Sequence, residues 1–297
     1  MRLVLMHNPQ SGNEDHSTED LTRLLRRAGH QLVRDVSRRK DLSAALAEPC
    51  DLVVVAGGDG TVGKAAERLA GTGVPWTILP LGTANNVAAQ LGITGDPERL
   101  VEAWRDAEVH GLDRGLVHHG EAAESFLEAF GLGAFPRAMR TGQRLPDAAS
   151  TSEKLARDLE LFRATLWGAK LRGYTISADG QDLSGQYLLV EVMNFPFLGP
   201  NVPLSRATPG DGKLDLILVT EAERKPLVDH LSRLCAGEDC AEVEWPGRRV
   251  SRVVIATDAR RYHLDGELRA ARTPRDHFDV EVEPHALHVL TPRALAA

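Results

Sequence analysis

The capacity to bind phosphate is written most densely into Ala56-Gly-Gly-Asp-Gly-Thr-Val-Gly-Lys-Ala65. The apolar run Asp51-Leu-Val-Val-Val-Ala56 precedes it and a helical pattern follows, so backbone N–H groups and a helix dipole face outward from the turn. Glycines there let the backbone approach an anion without side-chain obstruction. Gly58-x-Gly60-x-x-Gly63 has the spacing of a dinucleotide-binding fingerprint, but the next strand ends at Leu79-Pro-Leu-Gly82 with no acid to hold a ribose. Gly58-x-x-x-x-Gly63-Lys64 falls one residue short of a P-loop, because Ala65 has no hydroxyl for Mg²⁺. What remains is Gly57-Gly-Asp-Gly-Thr61 as a unit. Gly57, Gly58 and Gly60 offer backbone donors for phosphate, Asp59 a carboxylate for a metal or its water, and Thr61 a hydroxyl. On its own this unit reads first as a tight strand-to-helix turn capped by Asp59. A second turn of the same kind, Leu79-Pro-Leu-Gly-Thr-Ala-Asn-Asn86, follows the next strand. Two such turns at one sheet edge make a ligand cleft.

The elements that would hold these turns alternate regularly. Leu3–Met6, Leu32–Val36, Asp51–Ala56 and Trp76–Leu79 read as strands. Between and after them come helical patterns: one carrying Leu21, Leu24, Leu25 and Ala28 and closed by Gly29, then Leu42–Ala47, Val62–Leu69 and Thr83–Leu91. This alternation predicts a doubly wound α/β domain over residues 1–122. The rhythm changes after Leu112. Ser125–Phe130, Tyr174–Ala178, Tyr187–Met193, Leu214–Val219, Arg252–Ala256 and Phe278–Val282 read as strands with few helices between them. They predict a mostly antiparallel β domain over residues 123–297, whose last residues can pack back on the first domain. Arg140–Ser152 reads as a loop and Glu153–Lys170 as a helix. Its Leu155, Leu159, Phe162 and Leu166, with Trp167, read first as core and second as the flank of a substrate entrance.

Composition narrows the class. The 297 residues carry 35 Lys and Arg against 42 Asp and Glu, a net charge of −7, with 42% hydrophobic and 26% charged residues. That excludes disordered, collagen-like and coiled-coil chains, and an acidic balance argues against a nucleic-acid binder. Cys50, Cys235 and Cys240 imply no disulfide framework, and His118-His119 and Cys235-x₄-Cys240 lack metal-site partners. The opening apolar run is too short for a secretion signal and no stretch is long enough to span a bilayer, so a cytoplasmic setting is expected.

Five stretches in one order carry a resemblance: Asn8-Pro9-x-Ser11-Gly12, Gly57-Gly-Asp-Gly-Thr61, Pro80-Leu-Gly-Thr-Ala-Asn85, Pro209-Gly-Asp-Gly-Lys-Leu-Asp215 and Leu264-Asp-Gly-Glu267. Over nearly its whole length the chain resembles the diacylglycerol-kinase catalytic superfamily, in its bacterial soluble lipid-kinase branch. The resemblance implies an ATP- and Mg²⁺-dependent lipid kinase with a nucleotide-binding first domain, a β-sandwich second domain and an active site between them. It implies that Asn8, Ser11, Ser37, Gly57, Gly58, Asp59, Gly60, Thr61, Thr83, Asn85 and Asn86 meet the nucleotide. Asp265 matches the family's proton acceptor, with Glu267 near enough to orient it, although Asp-Gly alone is also a hairpin signal. Asp211 matches a Mg²⁺ ligand, joined by the carbonyls of Thr208 and Lys213, although the residues alone serve equally as a turn. Two departures stand out. Gly63-Lys64 replace an Asn and a Glu common in relatives, putting a cation where it can help the triphosphate. Asn86 stands where many relatives have Asp, which removes a charge able to hold a Mg²⁺-bound water.

The acceptor implied is a lipid met at a membrane surface. Arg38-Arg39-Lys40, Arg248-Arg249 and Arg260-Arg261 are candidates for peripheral contact, each reading first as a solvated patch. Two rivals remain open: a kinase of a soluble acceptor, as in NAD kinases, and a nucleotide-binding regulator without catalysis. No motif sets the oligomeric state, a homodimer included.

Overall fold

The computed structural model describes residues 1–8, 16–36, 39–82, 84–146, 148, 150–199, 201–238, 240, 247–271 and 276–292. The chain divides into two compact units, one formed by residues 1–112 with the segment returning from His285, the other by Asp113–Pro284. The boundary therefore falls after Leu112, ten residues before the expected 122.

The first unit is built from β1 (Arg2–His7), α1 (Thr18–Arg27), β2 (Gln31–Val36), α2 (Arg39–Ala45), β3 (Leu52–Gly57), α3 (Asp59–Leu69), β4 (Trp76–Pro80), α4 (Asn86–Gln90) and α5 (Pro97–Ala103). Its strands run parallel in the order β4-β3-β1-β2. β3 is buried along its whole length, as its unbroken apolar sequence requires. The Ser17 hydroxyl accepts the Asp20 N–H at 3.1 Å and so starts α1. Gly29, with φ of 83°, ends it as expected. From β1 the chain moves to β2 on one side, and from β3 to β4 on the other. The direction of winding thus reverses between β1 and β3, which is where sheets of this kind bind ligands. The returning residues add a strand parallel to β4, with Val289 beside Trp76 and the Thr77 hydroxyl donating to the Leu290 carbonyl at 2.9 Å.

The second unit begins within β5 (Glu108–His119) and continues through β6 (Ala122–Phe126), β7 (Ala129–Gly133), α6 (Ala134–Gly142), α7 (Thr151–Trp167), β8 (Arg172–Ala178), β9 (Gln181–Asp182), β10 (Gly185–Tyr187) and β11 (Leu189–Met193). There follow β12 (Phe197–Leu198), β13 (Val202–Pro203), β14 (Leu214–Val219), α8 (Arg224–Cys235), β15 (Arg248–Val250), β16 (Arg252–Thr257), β17 (Arg261–Leu264), β18 (Glu267–Ala270) and β19 (Asp276–Thr291). One antiparallel sheet has the order β15-β14-β11-β7-β17-β18. Facing it, β10, β8, β16 and the first part of β19 pair antiparallel. Phe130, Val190, Leu216 and Leu264 from the first sheet meet Ile176, Val253, Ile255 and Phe278 from the second in one apolar layer, which makes a sandwich. The outer face of the first sheet is covered by α6, α7 and α8 through Phe135, Phe162, Leu166 and Leu227.

Several sequence expectations are corrected here. Ser125–Phe130 is not one strand, because the chain turns at Leu127–Glu128 between β6 and β7. The stretch expected as a loop from Arg140 is entered by the end of α6. Trp167 is 60% exposed although Leu166 is fully buried, since successive helix positions lie about 100° apart. Phe278–Val282 is part of a much longer strand.

Candidate active site

In the first unit the two glycine turns pack backbone against backbone. Gly58 caps α3 in extended conformation, with φ of −95°, and the Thr61 and Val62 N–H groups donate to its carbonyl at 2.8 and 3.0 Å. A Cβ placed on Gly82 would lie 2.3 Å from the Gly58 Cα, and one on Gly57 would lie 2.8 Å from the Thr61 Cβ. Neither position tolerates a side chain, whereas Gly60 is exposed and faces open space. The glycines therefore serve two ends: close approach of the turns at Gly58 and Gly82, and an unobstructed surface at Gly60.

Asp59 ties the turns together. Its Oδ1 accepts the Val87 N–H at 3.2 Å, in the first turn of α4. The carboxylate caps the neighbouring helix, not the one it begins. Burial raises its pKa above the ordinary value, opposed by N–H groups of Val87, Asn86, Asp59 and Asn85. Asn85 has left-handed φ of 50° and shapes the second turn: its Oδ1 accepts the Gly82 N–H at 2.9 Å and its Nδ2 donates to the Gly82 carbonyl at 2.8 Å. Asn86 is buried at the start of α4. Thr61 is buried, and its hydroxyl lies 3.5 Å from Asn8 Nδ2, which brings Asn8 to the turn. Lys64 is exposed. Ser11, Ser37 and Thr83 lie outside the described residues.

Beside Asn8 is a feature the sequence reading missed. A pocket of about 330 Å³ is lined by His7, Thr18, Arg34, Asp35, Val36, Asp41 and Ala44. It lies where β1 and β2 end. His7 Nδ1 is 2.8 Å from the Thr18 hydroxyl, and burial first, then His16, lowers its pKa.

In the second unit Asp265 and Gly266 have φ of 46° and 73°, and Leu264 pairs with Glu267. This is a two-residue hairpin with both central residues left-handed, so the turn that Asp-Gly signals is present. The Asp265 side chain also does more than turn the chain. Its Oδ2 accepts the Leu127 N–H at 2.7 Å, and its Oδ1 accepts those of Glu128 and Ala129 at 2.7 and 3.1 Å. A carboxylate offers about four lone-pair directions. Three are used among the described residues, which leaves one on Oδ2. Burial raises the pKa of Asp265, opposed by the three N–H donors and by His263. Glu267 does not orient Asp265: it is exposed and accepts from Arg269 Nη2 at 2.6 Å.

Asn194 and Asp113, also missed in the sequence, support this nest. Asn194 is fully buried, and its Nδ2 donates to the Asp113 and Leu127 carbonyls at 2.9 and 2.8 Å. Asp113 is fully buried too, and its Oδ2 accepts the Gly210 and Gly212 N–H groups at 3.1 and 2.7 Å. One polar chain thus runs from Asp265 to the Asp211 turn. Neither residue sits in a periodic or glycine-rich pattern, so no local signal marks them.

At the Asp211 turn both carboxylate oxygens are engaged by the chain itself. Asp211 Oδ1 accepts the Lys213 N–H at 2.9 Å and its Oδ2 accepts from Arg249 Nη2 at 2.6 Å. The Thr208 carbonyl accepts the Asp211 N–H at 3.3 Å, and Lys213 Nζ donates to the Ser251 hydroxyl at 2.6 Å. The positive charge beside Asp211 comes from the chain itself. Among the described residues no group of three or more His, Cys, Asp or Glu is placed to hold a metal.

Comparison with known proteins agrees with both halves of the fold. The model of the diacylglycerol kinase catalytic domain matches residues 2–117, and that of the YegS C-terminal NAD kinase beta sandwich-like domain matches residues 147–291. A Pseudomonas aeruginosa protein named "Probable lipid kinase YegS-like" is 29% identical over 98% of this chain and 94% of its own. A Mycobacterium tuberculosis protein named "Diacylglycerol kinase" is 25% identical over 85% of this chain and 80% of its own. The crystal structure of a diacylglycerol kinase from Bacillus anthracis shares the fold, with a TM-score of 0.74 at 19% identity over 99% of this chain and 98% of that one. No described helix is long and apolar enough to cross a membrane.

Proposed function

Since the chain belongs to the family of diacylglycerol kinase-like lipid kinases, we propose that it transfers the γ-phosphoryl group of ATP to a hydroxyl of diacylglycerol or a related lipid, with Asp265 Oδ2 as general base. ATP enters as its Mg²⁺ complex, and the ion, part of the substrate, neutralises phosphate charge. The first turn of α3 offers N–H groups and the positive end of its dipole to the phosphates. Lys64, exposed within α3, adds a cation. The pocket at His7 and Asp41 takes the nucleoside, being concave and at the strand ends.

The observation that carries this reading is the setting of Asp265. Burial makes the carboxylate a stronger base than one in water, and three N–H donors fix it in place. Its free Oδ2 direction accepts the proton of the lipid hydroxyl as that oxygen bonds to the γ-phosphorus. The bond from phosphorus to the bridging oxygen breaks, ADP leaves with the electron pair, and Asp265 holds the proton. Peripheral contact with the membrane supplies the lipid.

Label transfer from γ-labelled ATP tests this, with diacylglycerol in mixed micelles against NAD and other soluble acceptors. Label in the lipid is the expected result. Label in a soluble acceptor alone, or ATP bound tightly with no transfer, overturns it.

A further inference from the structure

Apart from the residues assigned above, one pair of titratable side chains lies wholly inside the second unit. His263 on β17 and Glu191 on β11 are 1% and 0% exposed, with Nε2 and Oε2 2.8 Å apart. Their strands are not neighbours. Both pair with β7, and both residues stand opposite Gly131. Residues two strands apart are separated by about 9–10 Å of sheet. The two long side chains close that distance over the one position with nothing to block them: a Cβ on Gly131 would lie 1.9 Å from Glu191 Oε2. Phe135 stands edge-on to the imidazole at 4.9 Å. Glu191 Oε1 and His263 Nδ1 find no partner among the described residues.

Such a pair is a poor device for stability, because apolar residues of similar volume generally do as well in its place. Its position suggests another use. His263 stands two residues before Asp265, at the end of the same strand. Charged groups on the elements packed around β17 include Glu191 on β11, Glu128 before β7, Glu267 and Arg269 on β18, and Arg137 and Arg140 on α6. Glu267 is engaged by Arg269. The Asp265 N–H donates to the Ala129 carbonyl at 3.0 Å, so the register of β17 on β7 sets where the carboxylate meets its donors.

We propose that Glu191 and His263 are positioning residues for Asp265: their buried hydrogen bond across β7 ties β17 to β11 and so holds the Asp265 carboxylate on its three N–H donors. Gly131 is the gap that permits the pair. The inference rests on the reading of Asp265 as the base, but its primary test needs no turnover.

The experiment is a ¹³C-carboxyl NMR titration of the full chain, with the Asp265 resonance assigned by its loss in Asp265→Asn. In Glu191→Leu and in His263→Gln the three N–H donors loosen and the Asp265 titration moves upward by about half a pH unit or more, and the double variant moves no further than one single variant. An unchanged titration in either folded single variant overturns the inference. With lipid as acceptor, the acid limb of the pH–rate profile moves up with Asp265 in both variants while KM for ATP stays constant. A shifted Asp265 titration in a protein that phosphorylates no lipid supports the coupling and refutes the lipid-kinase reading instead.

Discussion

Replacing Gly82 by alanine tests the idea that the nucleotide turn depends on two backbones in contact. The new Cβ would stand 2.3 Å from the Gly58 Cα, 2.8 Å from Asn85 Oδ1 and 3.0 Å from the Gly58 nitrogen. Carbon atoms pack at about 3.5–4.0 Å, so the turns must part by more than about 1 Å, and most of the obstructing atoms are backbone. Two hydrogen bonds hold Asn85 to residue 82, so the start of α4 moves with it. The Val87 N–H, 3.2 Å from Asp59 Oδ1, is then carried beyond hydrogen-bonding range. Overpacking of this kind costs about 1–3 kcal/mol. Loss of the bond to a charged group adds about 1.5 kcal/mol or more. The expected urea midpoint corresponds to a loss of about 2.5–4.5 kcal/mol. Affinity for a non-hydrolysable ATP analogue, measured by calorimetry, falls by about tenfold or more, since ligand geometry tolerates little displacement. Gly60→Ala is the control. Its Cβ meets open space and its φ is not left-handed, so it keeps the fold and gains up to about 1 kcal/mol from helix propensity. If Gly82→Ala proves as stable as Gly60→Ala and binds nucleotide as well as the wild type, the packing argument is wrong.

Three further outcomes follow from the same geometry. The pKa of Asp59 is raised from 3.8 on folding, so its ionisation opposes folding; that contribution is absent below the unfolded value and grows as pH rises through the folded one. Asp59→Asn therefore flattens the fall of urea midpoint with pH across that window, and an unchanged slope contradicts the shift. Asn194→Leu leaves the Asp113 and Leu127 carbonyls without their buried donor and costs about 2–4 kcal/mol by urea denaturation; a loss under about 0.5 kcal/mol would remove Asn194 from the support of the nest. Arg249 is 61% exposed beside Asp211, so Arg249→Met costs less than about 1 kcal/mol. The melting temperature of the nucleotide-free wild type stays the same in EDTA and in Mg²⁺, and a rise with Mg²⁺ that Asp211→Asn abolishes would show that Asp211 takes a metal.

Local features were legible and long-range ones were not. The branched run before Gly57 marks a buried strand, and the glycine spacing marks a turn whose shape only small residues permit. Asp265-Gly266 reads as a hairpin because both positions need left-handed backbone. What Asp265 does with its side chain was not legible, since its donors lie at residues 127–129. Asp113, Asn194, Glu191 and His263 gain their meaning from strand order, which no spacing encodes. β5 was hidden for a different reason. Gly111 and Gly115 break its pattern, yet each makes room for a ring: a Cβ on Gly111 would lie 2.7 Å from the His285 ring, and one on Gly115 would fall within the Phe126 ring. The Asp59 carboxylate illustrates a third case. A cap was visible in the sequence, but the helix it caps is the next one along.

The most direct measurement is the single-turnover rate of phosphoryl transfer from ATP to diacylglycerol by wild type and by Asp265→Asn, both at saturating ATP and lipid. The amide keeps the outline of the carboxylate, gives up the bond from the Leu127 N–H and cannot take the proton, so the rate falls by about 10²-fold or more while affinity for the ATP analogue is unchanged. Equal rates in the two proteins would contradict the assignment of Asp265 as the base.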